Sequence, residues 1–202
     1  KGSEELIIAP GLFDNQVNGF AGVSFTFGGG ELTAEGVKKA TGAIWKTGVT
    51  TYLPTLTTNS HDLLIKNFAV LGNIIDDPGL LGSIPGFHLE GPYISPVDGY
   101  RGAHPLVHVR KPDWNEFLQF NKAAGNKIIH VTLAPELDGA MDFIDKCKTA
   151  GIVVALGHHN ASAKEVTEAI DSGARVATHL GNGCANMINR HINPLWPQLA
   201  DE

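Results

Sequence analysis

Short β-branched apolar runs alternate with segments of helical period from one end of the chain to the other, and this alternation limits the architecture more than any other feature. The runs "LIIAPGLFDNQVNG", "VTTYLPTL", "IPGFHLEGPYI", "KIIHVTLAPE", "IVVALGHHN" and "RVATHLGNG" read as strands. Between them lie helical patterns: "LTAEGVKKATGAIWKTG" capped by Thr33, "SHDLLIKNFAVLGNII" opened by Ser60, "DWNEFLQFNKAAG" capped by Asp113, "GAMDFIDKCKTAG", and "SAKEVTEAIDSGA". Gly48, Gly125, Gly151 and Gly173 stand where helix C-termini need a left-handed residue. One stretch breaks the pattern, a long Gly, Pro and His containing loop from Ser95 to Pro112.

Strands that each lead into a helix or loop are expected to pair in parallel, which leaves an open doubly wound sheet or a closed (β/α)8 TIM barrel. The first helix start carries no Gly-rich phosphate fingerprint, so the dinucleotide-binding version is disfavoured. The polar residues favour the barrel. Gln16 and Asn18 close the first run, Glu90 the third, His158 and His159 the fifth, and His179 the sixth. In a barrel these carboxyl ends converge on one mouth.

A carboxylate buried at that mouth costs several kcal/mol unless a cation pairs with it, and no Lys or Arg lies near Glu90 in "GFHLEGPYIS". A carboxylate with two imidazoles is a donor set for Zn²⁺ or another divalent transition metal with a position left for water. Strand alternation allows only one of His158 and His159 to face inward. His88, two residues before Glu90, shares its face one layer deeper, in a packing or supporting role. His61, His108 and His130 stand where nothing converges, and read as packing or surface residues.

Composition excludes several function classes. With 15 Lys and Arg against 21 Asp and Glu, the net charge of −6 gives no basic footprint for nucleic acid or an anionic membrane. Cys147 and Cys184 are too sparse for a disulfide framework. No apolar run reaches the roughly 20 residues that span a bilayer, and "KGSEELIIAPG" is unlike a signal peptide, so the expected location is cytoplasmic.

The segments "APGLFDNQVNGFAG", "GVTTYLPTL", "GFHLEGPYISP", "RGAHP", "VTLAPE", "GHHNAS" and "ATHLGNG" resemble, in order and spacing, the N-acetylglucosamine-6-phosphate deacetylases of the amidohydrolase superfamily. The resemblance runs nearly end to end, and "HLEGP" followed by "RGAHP" is its most specific part. It implies an amidohydrolase barrel binding one divalent metal, zinc first, with iron, cobalt or manganese as alternatives, through Glu90, His158 and His179. Gln16 and Asn18 then stand where other amidohydrolases carry His-x-His, as a vestigial or supporting metal position. His104 of "GAHP", Asn182 and Gly183 are implied to hold the amino sugar, and Arg190 its phosphate; "NGCANMINRH" departs from the family's commoner "NAM" form.

The implied reaction is hydrolysis of the acetamide of N-acetylglucosamine 6-phosphate to glucosamine 6-phosphate and acetate, in a homodimer. The family's general base, an Asp at the end of the eighth strand, falls beyond this chain, so no catalytic proton acceptor is assigned within it. Residues 1–202 are accordingly expected to form one barrel domain of about six βα units, truncated before strands seven and eight, where a complete barrel takes typically about 250 residues. The rivals are another amidohydrolase acting on a different amide, and a catalytically inactive phosphosugar-binding fragment.

Overall fold

A computed structural model describes residues 8–27 and 32–200. Six strands form one all-parallel sheet, β1 (Leu12–Val17), β4 (Val49–Thr57), β5 (Phe87–Glu90), β6 (Ile128–Leu133), β7 (Val153–Leu156) and β8 (Val176–Ala177), paired in that order. Strands adjacent in the sheet follow one another in the chain, with α1 (Ala34–Trp45), α2 (His61–Ile74), α3 (Trp114–Ala123), α4 (Ala140–Thr149) and α5 (Ala163–Ser172) as crossovers. The sheet curls into part of a (β/α)8 barrel, as expected, with six βα units and no pairing of β1 to β8 among the described residues.

The helix caps follow the sequence. The side chains of Thr33, Ser60 and Asp113 accept from backbone amides of the first turns of α1, α2 and α3. Gly48, Gly125, Gly151 and Gly173 all have positive φ just past helix ends.

Two differences bear on the site. The first strand run does not lead directly to a helix: after β1 the chain makes a small antiparallel pair, β2 (Gly19–Phe20) with β3 (Val23–Ser24). Leu6 and Ile7 of that run lie outside the described residues. The fifth and sixth runs end earlier than their apolar pattern, at Leu156 and Ala177. His158, His159 and His179 therefore belong to loops and not to strands, because positive φ at His158 (53°) and His179 (30°) takes the backbone out of the extended region.

Alternation along β5 separates the two layers. Phe87 and Leu89 face the helices, where the ring of Phe68 from α2 lies 6.1 Å from Phe87 and 6.4 Å from Phe120 of α3. Burying each such ring contributes about 2–3 kcal/mol. His88 and Glu90 face the interior, where His88 stacks on His130 at 4.2 Å between ring centres. The expectation that nothing gathers around His130 is corrected: parallel pairing sets it beside His88 and buries it.

Candidate metal centre

Glu90 is the last residue of β5 and is 2% exposed. The turn after it is built around Gly91 (φ +79°), where a Cβ would stand 2.2 Å from the Thr58 hydroxyl, so only glycine lets the chain turn there. The Glu90 carboxylate then points at the loops after β7 and β8. Its Oε1 lies 3.3 Å from Nε2 of His158 and 3.1 Å from Nε2 of His179, and the two imidazole nitrogens are 3.2 Å apart.

These three atoms form a nearly equilateral triangle. Tetrahedral ligands bonded at about 2.0–2.2 Å stand about 3.3–3.6 Å apart, so the triangle has almost the size of one face of a metal coordination shell. The tautomer of His158 sharpens the point. Its Nδ1 faces the carbonyl oxygen of Tyr100 at 3.0 Å, and a carbonyl can only accept, so Nδ1 carries the hydrogen. Nε2 is then the ring nitrogen turned toward Glu90 and His179, and its lone pair is the one that can reach a cation held between them. Burial alone would push the Glu90 carboxyl up, yet contacts with His158 and His179 hold it well below the usual carboxylate range. The carboxylate in turn raises the pKa of His179, against the effect of burial. Nδ1 of His179 is buried without a partner among the described residues. The donor set, its spacing and its net negative charge fit a divalent metal.

Glu90, His104 and His158 also offer donor atoms within 4.8 Å of one another. His104 already spends Nδ1 on the Thr58 hydroxyl at 2.8 Å, and burial pushes its pKa down to about 4, so it stands beside the triangle as a neutral imidazole. Arg101 fixes the backbone there by donating from Nη1 to the His104 carbonyl at 2.7 Å.

The triangle opens into a cavity of about 430 Å³ whose walls include Gln16, Asn18, Thr57, His104 and Asn182. Gln16 and Asn18 thus face the same mouth as the triangle. Gly183 packs against it from behind, with the position of its absent Cβ 3.0 Å from the His158 amide and 3.2 Å from His179 Cε1. Arg190 is exposed and does not line this cavity. His159 turns away and accepts from the Gln198 side chain at 3.0 Å, so His158 alone of the pair faces Glu90, through the loop backbone and not through the strand alternation expected. Thr58 and the Tyr100 carbonyl are the site residues that sequence reasoning missed. The same rule of strand ends, applied to β4, points to Thr58; nothing in the sequence marks a backbone carbonyl.

The amidohydrolase family model matches residues 7–197. N-acetylglucosamine-6-phosphate deacetylase of Bos taurus is 38% identical over 180 residues, 87% of this chain and 42% of that protein. An N-acetylgalactosamine-6-phosphate deacetylase of a Shewanella species is 31% identical over 198 residues, 96% of this chain and 47% of that protein. The crystal structure of N-acetyl-D-glucosamine-6-phosphate deacetylase from Mycobacterium smegmatis aligns with a TM-score of 0.83 at 33% identity, over 95% of this chain and 48% of that one. The chain spans about half the length of these relatives. On the match of nearly its whole length, the chain belongs to the amidohydrolase family.

Proposed function

We propose that the protein containing this chain hydrolyses the acetamide of N-acetylglucosamine 6-phosphate to glucosamine 6-phosphate and acetate, using one divalent metal, zinc in the first instance. The observation that carries the reading is the triangle of buried Glu90 and His158 with half-buried His179 at the floor of a cavity with His104 and Asn182 in its walls. Glu90, His158 and His179 would hold the ion. A bound divalent cation lowers the pKa of water from 15.7 to about 7 and polarises a carbonyl, which is the chemistry amide hydrolysis requires.

The remaining steps fall to side chains. His104, kept neutral by burial and fixed by Thr58 and Arg101, is placed to hold the acetamide oxygen and to stabilise the charge that develops on it. Asn182 shapes the sugar pocket, Gln16 and Asn18 close its β1 side, Gly183 backs the two histidines, and Arg190, which lies outside the cavity wall, is assigned to the phosphate on the resemblance alone. Glu90 is committed to the cation and is the only carboxylate lining the cavity among the described residues. The group that takes the water's proton and delivers it to the amine is, by the resemblance, an Asp beyond residue 202. A homodimer working in the cytoplasm completes the reading. No helix of the described residues is long and apolar enough to cross a membrane.

A second reading, the galacto epimer of the same substrate, is favoured by the Shewanella relative. Acetate release from both sugar phosphates by the intact protein, before and after chelation and in a Glu90→Gln variant, decides. We expect turnover of the gluco compound, lost on chelation and in the variant. Metal-loaded protein that releases no acetate from either would overturn the proposal.

A further inference from the structure

Below the triangle, the interior is polar where a barrel core is normally filled by branched apolar side chains. His88 is 1% exposed and uses both ring nitrogens. Nδ1 faces the Asn15 carbonyl of β1 at 3.2 Å, and Nε2 faces the Thr132 hydroxyl of β6 at 2.7 Å. A carbonyl can only accept, so Nδ1 carries the hydrogen and Nε2 must accept from Thr132. Thr132 has then donated its hydrogen, so the Thr178 hydroxyl, 2.7 Å away, must donate to Thr132. Each hydroxyl in the chain has one consistent direction, running from Thr178 through Thr132 and His88 to Asn15.

The ends of this chain are placed with purpose. Asn15 precedes Gln16, Thr178 precedes His179, and His88 stands on the same face of β5 as Glu90. We propose that His88, with Thr132 and Thr178, is a positioning element for the metal centre, a directed hydrogen-bond tie across β1, β5, β6 and β8 that fixes the spacing of Glu90 and His179. The proposal rests on the reading of Glu90, His158 and His179 as ligands. Neighbouring His130 is the internal contrast: it is also buried, stacks on the same ring and leaves Nε2 without a partner among the described residues, so burial in this layer does not by itself demand the tie.

Replacing His88 directly strands several buried groups, so the hydroxyl variants carry the test. In the intact protein, Zn²⁺ affinity is measured by competition with a chromogenic chelator, and the Co²⁺-loaded protein gives the visible spectrum of the site. Thr132→Val is expected to weaken Zn²⁺ binding about 10–100-fold and to shift the Co²⁺ bands, whereas Thr132→Ser, which keeps the hydroxyl, retains both. A Thr132→Val protein that is less stable yet has the wild-type affinity and spectrum would show that the tie only fills the core, overturning the proposal. Wild-type protein that takes up neither ion would overturn the ligand reading and this inference with it.

Discussion

Gly102 shows how closely the site is fitted at the scale of single residues. Its φ is +60°, and a Cβ there would stand 3.1 Å from Cε1 and 3.3 Å from Nδ1 of His158. Gly102→Ala therefore meets a backbone penalty of about 1 kcal/mol or more and displaces the ring whose Nδ1 donates to Tyr100. We expect about 1–2 kcal/mol lower stability by denaturant unfolding together with weaker Zn²⁺ binding; unchanged affinity would separate Gly102 from the site. The interior histidines give a second prediction. Burial pushes His88 down to about 3 and His130 down to about 4, from an ordinary value of 6.5. Above pH 6.5 neither state carries these protons; below it the unfolded chain takes them up and the folded one does not until about pH 4. Stability is thus full above pH 6.5 and is lost as pH falls toward 4, by up to about 1.4 kcal/mol per pH unit for each imidazole. His130→Leu should reduce that slope by about one proton, and an unaltered slope would assign the acid sensitivity elsewhere. Glu90, His179 and one of the pair His158 and His159 were legible in the sequence because ligand-type residues near successive strand ends form a pattern; the choice of His158 came from the resemblance alone. Thr58 was within reach of the same rule at the end of β4, whereas the Tyr100 carbonyl was not, since a peptide oxygen orienting an imidazole has no distinctive residue type.

At the scale of elements, the loop that carries His158 is held between β7 and α5. Helix α5 begins with a capping box: the Ser162 side chain accepts from the Glu165 amide at 3.3 Å, and the Ser162 amide donates back to the Glu165 carboxylate at 2.7 Å. Ser162→Ala removes half of it on an exposed surface, so packing is untouched and the loss should be about 1 kcal/mol. Faster amide exchange confined to the first turn of α5 is the expected signature; a loss spread over β7 would mean that the cap holds the whole unit. Most elements were readable because helix periods, caps and C-terminal glycines are local signals. The hairpin of β2 and β3 was not, because its strands are two residues each and carry no period. The ends of β7 and β8 were missed for a related reason. Apolar patterning continues past Leu156 and Ala177, while left-handed backbone at His158 and His179 ends the pairing, and that conformation is imposed by tertiary packing around the site.

For the whole molecule, the decisive feature is an open sheet. Each interior strand pairs on both sides, but β1 and β8 each present one unpaired edge among the described residues. Unpaired edges expose backbone donors and acceptors that recruit other strands unless they are short, charged or covered. Here both flanks are also apolar: Leu12 and Phe13 on β1 are 62% and 57% exposed, and Trp196 and Leu199 of α6 (Leu195–Leu199), near β8, are 53% and 60% exposed. A polypeptide of these 202 residues on its own should therefore self-associate, whereas the same residues within a protein that closes the barrel should not. Sedimentation velocity over a concentration series tests this, with growth in mean mass as the expected result. A monomer that unfolds in one sharp transition would show that the open half-barrel is stable alone. In that case metal uptake by the isolated 202 residues becomes the sharper measurement, since Glu90, His158 and His179 would already be held in place without the rest of the barrel.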